Sequence, residues 1–165
     1  MADKTISERL QPSLLDRLTD HTPGDPSESR DDRVIDLRRL REIIKRDLSW
    51  LLNATNAERE IDTDRYPNAA QSVLNFGVRD VSGDFTSTER AMRMRASIQQ
   101  AIEWFEPRIK RGTLDVALGT DAKAGRTVIV FDIHADMWAQ PVPMELYLRS
   151  AVDVTTGHVE LERKA

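Results

Sequence analysis

The hydrophobic rhythm of this chain changes once, at Pro107, and that change limits the fold more than any other feature. Upstream, apolar residues recur every three or four positions. From Thr86 to Phe105 the stripe Ala91, Met94, Ile98, Ile102 and Phe105 marks one buried helix face. Thr86, with Glu89 three residues on, has the form of a capping box at the start of that helix. Pro107 disfavours helical geometry at Glu106, so the helix ends near Phe105. Downstream the period is two. "TLDVAL" alternates, "GTDAKAGR" turns, and "TVIVFDIHADMW" is a long β-branched run. After Pro141 and Pro143, "MELYLRSAVDV" alternates again and "TTG" turns it into "HVELERK". Helices followed by strands predict an α+β domain, with two main helices packed on a three- to four-stranded, mostly antiparallel sheet.

The other main helix is expected from about Asp32 to Asn53. Val34, Leu37, Ile44, Leu48 and Leu51 line one face, Asp31 or Asp32 caps the start, and Asn53 stops it. The opposite face carries Arg38, Arg39, Glu42, Lys45 and Arg46. Between the helices, Val73 and Leu74 lead into turns at Gly77 and Ser82-Gly83. Ahead of both helices, "PSLLDRL" at 12–18 reads as a short amphipathic helix, with Ser13 as its cap and Leu14, Leu15 and Leu18 on one side. Thr19 to Arg33 is a linker rich in Pro, Gly and short polar residues. Residues 1–33 therefore form an N-terminal segment and linker, and residues 34–165 one domain. The three leucines either dock on a partner or fold back on the domain.

Composition removes several function classes. Of the 165 residues 39% are hydrophobic and 32% charged, and aromatics at 5% leave burial to aliphatic side chains. There is no Cys, hence no disulfide, thiol nucleophile or thiolate metal site, which fits a reducing cytosol. No apolar run reaches the roughly 18 residues of a membrane span, and the N-terminus lacks the pattern of a secretory signal. A net charge of −4 with both signs interspersed argues against nucleic-acid binding.

Candidate catalytic groups fail on geometry. Glu103 and Glu106 are spaced like an acid pair, but Pro107 ends the helix there. Asp132, His134 and Asp136 share one strand face, and one strand alone cannot wrap a metal ion. They read as the wet face of a half-buried sheet. "GTDAKAGRT" has the wrong glycine spacing for a phosphate loop and leads into a strand. Among the histidines, His21 lies in the linker and His158 beside a turn. No catalytic residue, cofactor or metal is expected. Arg90, Arg93 and Arg95 read as a solvated face or a surface for acidic partners.

Five segments occur in a specific order: "PSLLDRL" at 12–18, "IKRDLSWLLN" at 44–53, "SVLNFGVRDVSG" at 72–83, "FEPRI" at 105–109 and "VDVTTGHVEL" at 152–161. Together they resemble the TssE family, the baseplate component of bacterial type VI secretion systems, which is similar to the small wedge protein of contractile phage tail baseplates. The resemblance spans nearly the whole chain. It implies a domain akin to the sheath polymerising domain. The expected role is bridging the wedge proteins TssF and TssG, with TssK nearby, to sheath proteins TssB and TssC in the cytoplasm, at the inner face of the inner membrane. It implies no nucleic-acid partner and no direct membrane insertion. The family's Glu-Pro-Arg motif falls on Glu106, Pro107 and Arg108, which the resemblance implicates in sheath attachment. Some relatives carry a lysozyme-like label, and a peptidoglycan hydrolase is the competing function. Two positions depart from the pattern: Arg79 stands where many relatives are expected to have Pro, and "LLNATN" lacks a basic residue after its Asn.

These readings assign a job to each residue of "WFEPRI". Phe105 and Ile109 anchor in the core, Pro107 fixes the exit direction, and Glu106 and Arg108 are displayed to a partner. Glu106 either orients the Arg108 loop or accepts from a partner Arg. Leu14, Leu15 and Leu18 are the second candidate contact.

Overall fold

In the computed structural model, which describes residues 13–20, 23–24, 35–62, 64–80, 87–120, 127–138 and 144–163, every helix precedes every strand. The order is α1 (Leu14–Leu18), α2 (Leu37–Leu52), α3 (Pro67–Ala70), a 3-10 turn (Val73–Asn75), α4 (Ser87–Phe105), β1 (Asp115–Leu118), β2 (Val128–Met137), β3 (Met144–Asp153) and β4 (Val159–Arg163). The four strands form an antiparallel meander in sequence order.

α2 starts later than expected. It begins at Leu37, because the Asp36 carboxylate accepts from the Arg39 N–H at 2.7 Å and satisfies one orphan donor of the first turn. Asp31, Asp32 and Val34 lie outside the described residues, as do Pro12, His21, Ser82, Gly83, Pro141, Pro143 and the Thr86 half of the capping box. Ser13 takes the N-cap position of α1 without a side-chain capping bond, and its hydroxyl donates to Asp16 instead.

The core lies between the helix pair and one face of the sheet. Leu40, Ile44, Leu48, Leu51 and Leu52 of α2 and Met94, Ile98, Ala101 and Ile102 of α4 meet Val116, Phe131, Ile133, Met137, Leu146, Leu148 and Val152 of the strands. Burying each large aliphatic side chain contributes about 1.5–3 kcal/mol, so this layer dominates the stability. Period-two patterning is plain in β3, where buried and more exposed residues alternate along the strand. Phe105 is partly buried against the core, in edge contact with Phe76 at 5.4 Å, and Ile109 is buried.

Each helix also bonds to a strand at the sheet's margin. The Asn53 side chain, just past α2, pairs with the backbone of Val159: its amide donates to Val159 O at 2.9 Å and its carbonyl accepts from Val159 N at 2.9 Å. On the other margin, Arg95 of α4 donates to Val116 O in β1. These three bonds hold α2 beside β4 and α4 beside β1.

The loop between α2 and α4 is pinned by buried polar pairing. Asn75, almost fully buried, donates to Ala70 O at 2.9 Å and accepts from Ala57 N at 3.1 Å. Beside it Thr55 and Val78 form a parallel bridge. Gly77 is required there: its φ is +124°, and a Cβ would stand 2.3 Å from Ala54 O.

Candidate functional site

Helix α4 runs out into the Glu106–Pro107–Arg108 turn, and the next residues join the sheet. Arg108 O accepts from Trp138 N at 2.8 Å, Lys110 N donates to Asp136 O at 2.7 Å, and Ile109 bridges Met137. The turn is thus clamped between the end of α4 and the end of β2.

Within it, Glu106 is not displayed. It is 5% exposed, and both carboxylate oxygens face Arg108. Oε1 accepts from Arg108 Nε at 2.7 Å and from the Arg108 backbone N–H at 3.1 Å, and Oε2 accepts from Nη2 at 2.5 Å. This is a bidentate pair between residues two apart in sequence, with Pro107 forcing the bend between them. The expectation of an exposed Glu106 is therefore corrected. An ionised carboxylate at this depth requires a paired cation, and Arg108 is that cation.

Arg108 extends the network by donating from Nη2 to Asp47 Oδ2 at 2.8 Å, across to α2. Asp47 Oδ1 accepts from Arg46 at 2.7 Å (Nη2) and 3.0 Å (Nε). Arg46 in turn forks onto Asp16 of α1, Nη1 to Oδ1 at 2.7 Å and Nη2 to Oδ2 at 3.0 Å. Its guanidinium also lies over the Trp50 ring, 4.9 Å from the centroid. Five charges therefore alternate in sign from Glu106 through Arg108, Asp47 and Arg46 to Asp16. The Arg46 bonds hold the Asp16 carboxyl down at about 2, and the Asp16 hydrogen bond pushes Arg46 up in turn. For Arg108 burial works against the charge, but bonding to Glu106 and Asp47 outweighs it and its pKa rises.

The network places α1. Asp16 faces the domain, while Leu14, Leu15 and Leu18 are 70%, 46% and 75% exposed, and α1 buries no residue. The short helix folds back through its polar side and turns its leucines outward. Trp50 and Trp138, each bordering this region, are more than half exposed.

The open face of the sheet carries Asp132, His134 and Asp136, as the alternation predicts. Asp132 accepts from Arg149 at 3.1 Å across the β2–β3 pair, and His134 stacks on Tyr147 at 4.2 Å. Burial and the adjacent Glu145 carboxylate push the Tyr147 phenol up. The sequence reading missed Glu145, which stands directly opposite Asp136 and brings three possible cation ligands, His134, Asp136 and Glu145, within 4.8 Å of one another. Only strand register reveals that grouping. Glu103, the other carboxylate once paired with Glu106, accepts from Gln99 on the exposed side of α4 at 3.1 Å. The arginines of α4 are engaged within the fold: Arg90 donates to Val154 O, Arg95 to Val116 O, and Arg93 pairs with Glu89. At the departure noted above, Arg79 donates its backbone N–H to Ser97 Oγ at 2.7 Å, a bond that a Pro could not make.

A family model described as baseplate wedge protein gp25 matches residues 38–142, taking in both arginines of the network together with Asp47 and Glu106. No curated protein matches the chain. No solved structure matches it.

Proposed function

The chain belongs to the baseplate wedge protein gp25 family, and from that membership we propose that it is a structural subunit of a type VI secretion baseplate. It bridges the wedge proteins TssF and TssG, with TssK beside them, to the first ring of TssB and TssC sheath subunits, and helps to start sheath assembly. The supporting observation is the clamped Glu106–Pro107–Arg108 turn, in which Glu106 fixes the plane of the Arg108 guanidinium. Glu106 acts as the orienting residue, and Arg108, a quarter exposed, is the group that reaches a partner carboxylate. Leu14, Leu15 and Leu18 provide an adjoining apolar contact. Contact with the sheath proceeds by strand addition at an open sheet edge, with charged pairs setting the register. The work is done in the cytoplasm, at the inner face of the inner membrane; among the described residues no helix is long and apolar enough to cross a membrane.

The decisive experiment is co-purification of the tagged chain with the wedge and sheath proteins, followed by imaging of sheath assembly in Arg108→Ala and Arg108→Lys strains. Arg108→Lys keeps a cation beside the buried Glu106 carboxylate and should fold with reduced sheath assembly. Arg108→Ala strands that carboxylate, costs about 3 kcal/mol of stability, and is read beside the Glu106→Ala/Arg108→Ala double variant, which leaves no unpaired charge. Normal sheaths with folded variants, or no large assembly in the pull-down, would sink the reading.

A further inference from the structure

A second site lies at the opposite end of α4. Arg90 is in its first turn and Glu106 just past its last, so the two ends are about 24 Å apart at 1.5 Å per residue. At the Arg90 end a cavity of about 290 Å³ opens between α2, α4 and the β3–β4 turn. Its floor is apolar and buried: Met94, Ile98 and Val152. Its rim is cationic and polar, with Arg79, Arg90 and His158.

Three features give the cavity a preference. Arg90 Nε is buried without a hydrogen-bond partner among the described residues, while Nη2 of the same side chain donates to Val154 O at 2.5 Å. A buried cationic donor left unpaired is costly, so an acceptor oxygen from a ligand would be bound strongly there. Ser97 Oγ accepts from Arg79 N, leaving its own proton to donate into the cavity. The carboxylates around the rim are already engaged: Glu58 faces Arg79 at 3.9 Å, Asp80 faces Arg59 at 3.6 Å, and Asp153 accepts from Thr155 N at 2.7 Å, so none of them reaches Arg90 Nε.

We propose that this cavity receives an apolar side chain flanked by a carboxylate, presented by an acidic segment of a partner protein. The volume suits one side chain and its neighbouring carboxylate and is small for a cofactor. The choice of a protein segment over a free carboxylic acid rests on the assembly role proposed above, and the test separates the two.

The full chain, labelled with ¹⁵N, is titrated with an N-acetylated, C-amidated glycyl-leucyl-glutamyl-glycine peptide, with its glutamine analogue, and with free N-acetylleucine. The glutamyl peptide should shift the amide signals of Ser97, Thr155 and Gly157. The glutamine analogue should bind at least tenfold more weakly, and Arg90→Gln should weaken the glutamyl peptide equally. Should Arg90→Gln fail to fold, Arg79→Gln, whose side chain lies at the exposed rim, carries the same expectation. Equal binding of the two peptides, or no binding, overturns the proposal. Binding of N-acetylleucine without binding of the peptide also overturns it, by assigning the cavity to a small acid. None of these outcomes bears on co-purification with wedge and sheath proteins, so the two proposals fail separately.

Discussion

Glu106 shows how a charged residue becomes structural. Removing one partner from a buried ion pair strands the other, which costs about 3–5 kcal/mol, more than the intact pair contributes over apolar packing. Glu106→Ala should therefore lower the unfolding free energy by about 3 kcal/mol in urea titration, and the Glu106→Ala/Arg108→Ala double variant should lose less than the sum. Ser150 makes the opposite case: its hydroxyl is fully buried with no partner among the described residues. Ser150→Ala should raise stability by about 1 kcal/mol, read as a higher urea midpoint at unchanged slope. The sequence allowed the helix stop at Pro107 and the anchoring of Ile109 to be read correctly. It could not disclose that Glu106 is buried, because Asp47, which completes the pairing, lies 61 positions from Arg108. Spacing rules see neighbours along the chain; ion pairs between elements require the packed fold.

At the scale of elements, α1 is held by polar bonds, and its attachment should respond to pH. Asp16 titrates at about 2 while docked and near 3.9 when released. A carboxyl whose pKa is lowered by docking stabilises the docked state above its released value, so docking persists above about pH 4 and weakens as pH falls from 4 towards 2. The indole N–H signal of Trp50, beneath the Arg46 guanidinium, should shift across that interval, and Asp16→Asn should show the released signal already at pH 7. The segment "PSLLDRL" at 12–18 predicted a short helix with an apolar side, and Leu14–Leu18 forms it. The direction that side faces was not legible, since Arg46 on α2 decides it. The start of α2 at Leu37 has a local reason: the Asp36 carboxylate caps its first turn. Antiparallel strands were legible from the turn signals between them, whereas the register, and with it the Asp136–Glu145 opposition, needs the paired sheet.

Across the whole molecule, α4 is a rod with a charged clamp at one end and a cavity at the other. A subunit with two distinct ends can join two different neighbours, which suits a bridging role in an assembly. The sheet adds a third direction. In an antiparallel ladder, residues alternate between facing their partner strand and facing outward. The side chain of Asn53 takes both outward backbone groups of Val159, so by alternation Leu161 and Arg163 are the next to face away from β3. A polymerising partner laid along β4 would meet a filled rung at Val159 and could begin only at Leu161. One asparagine would thereby work as an end-stop, refusing the slipped alignments that need the Val159 rung.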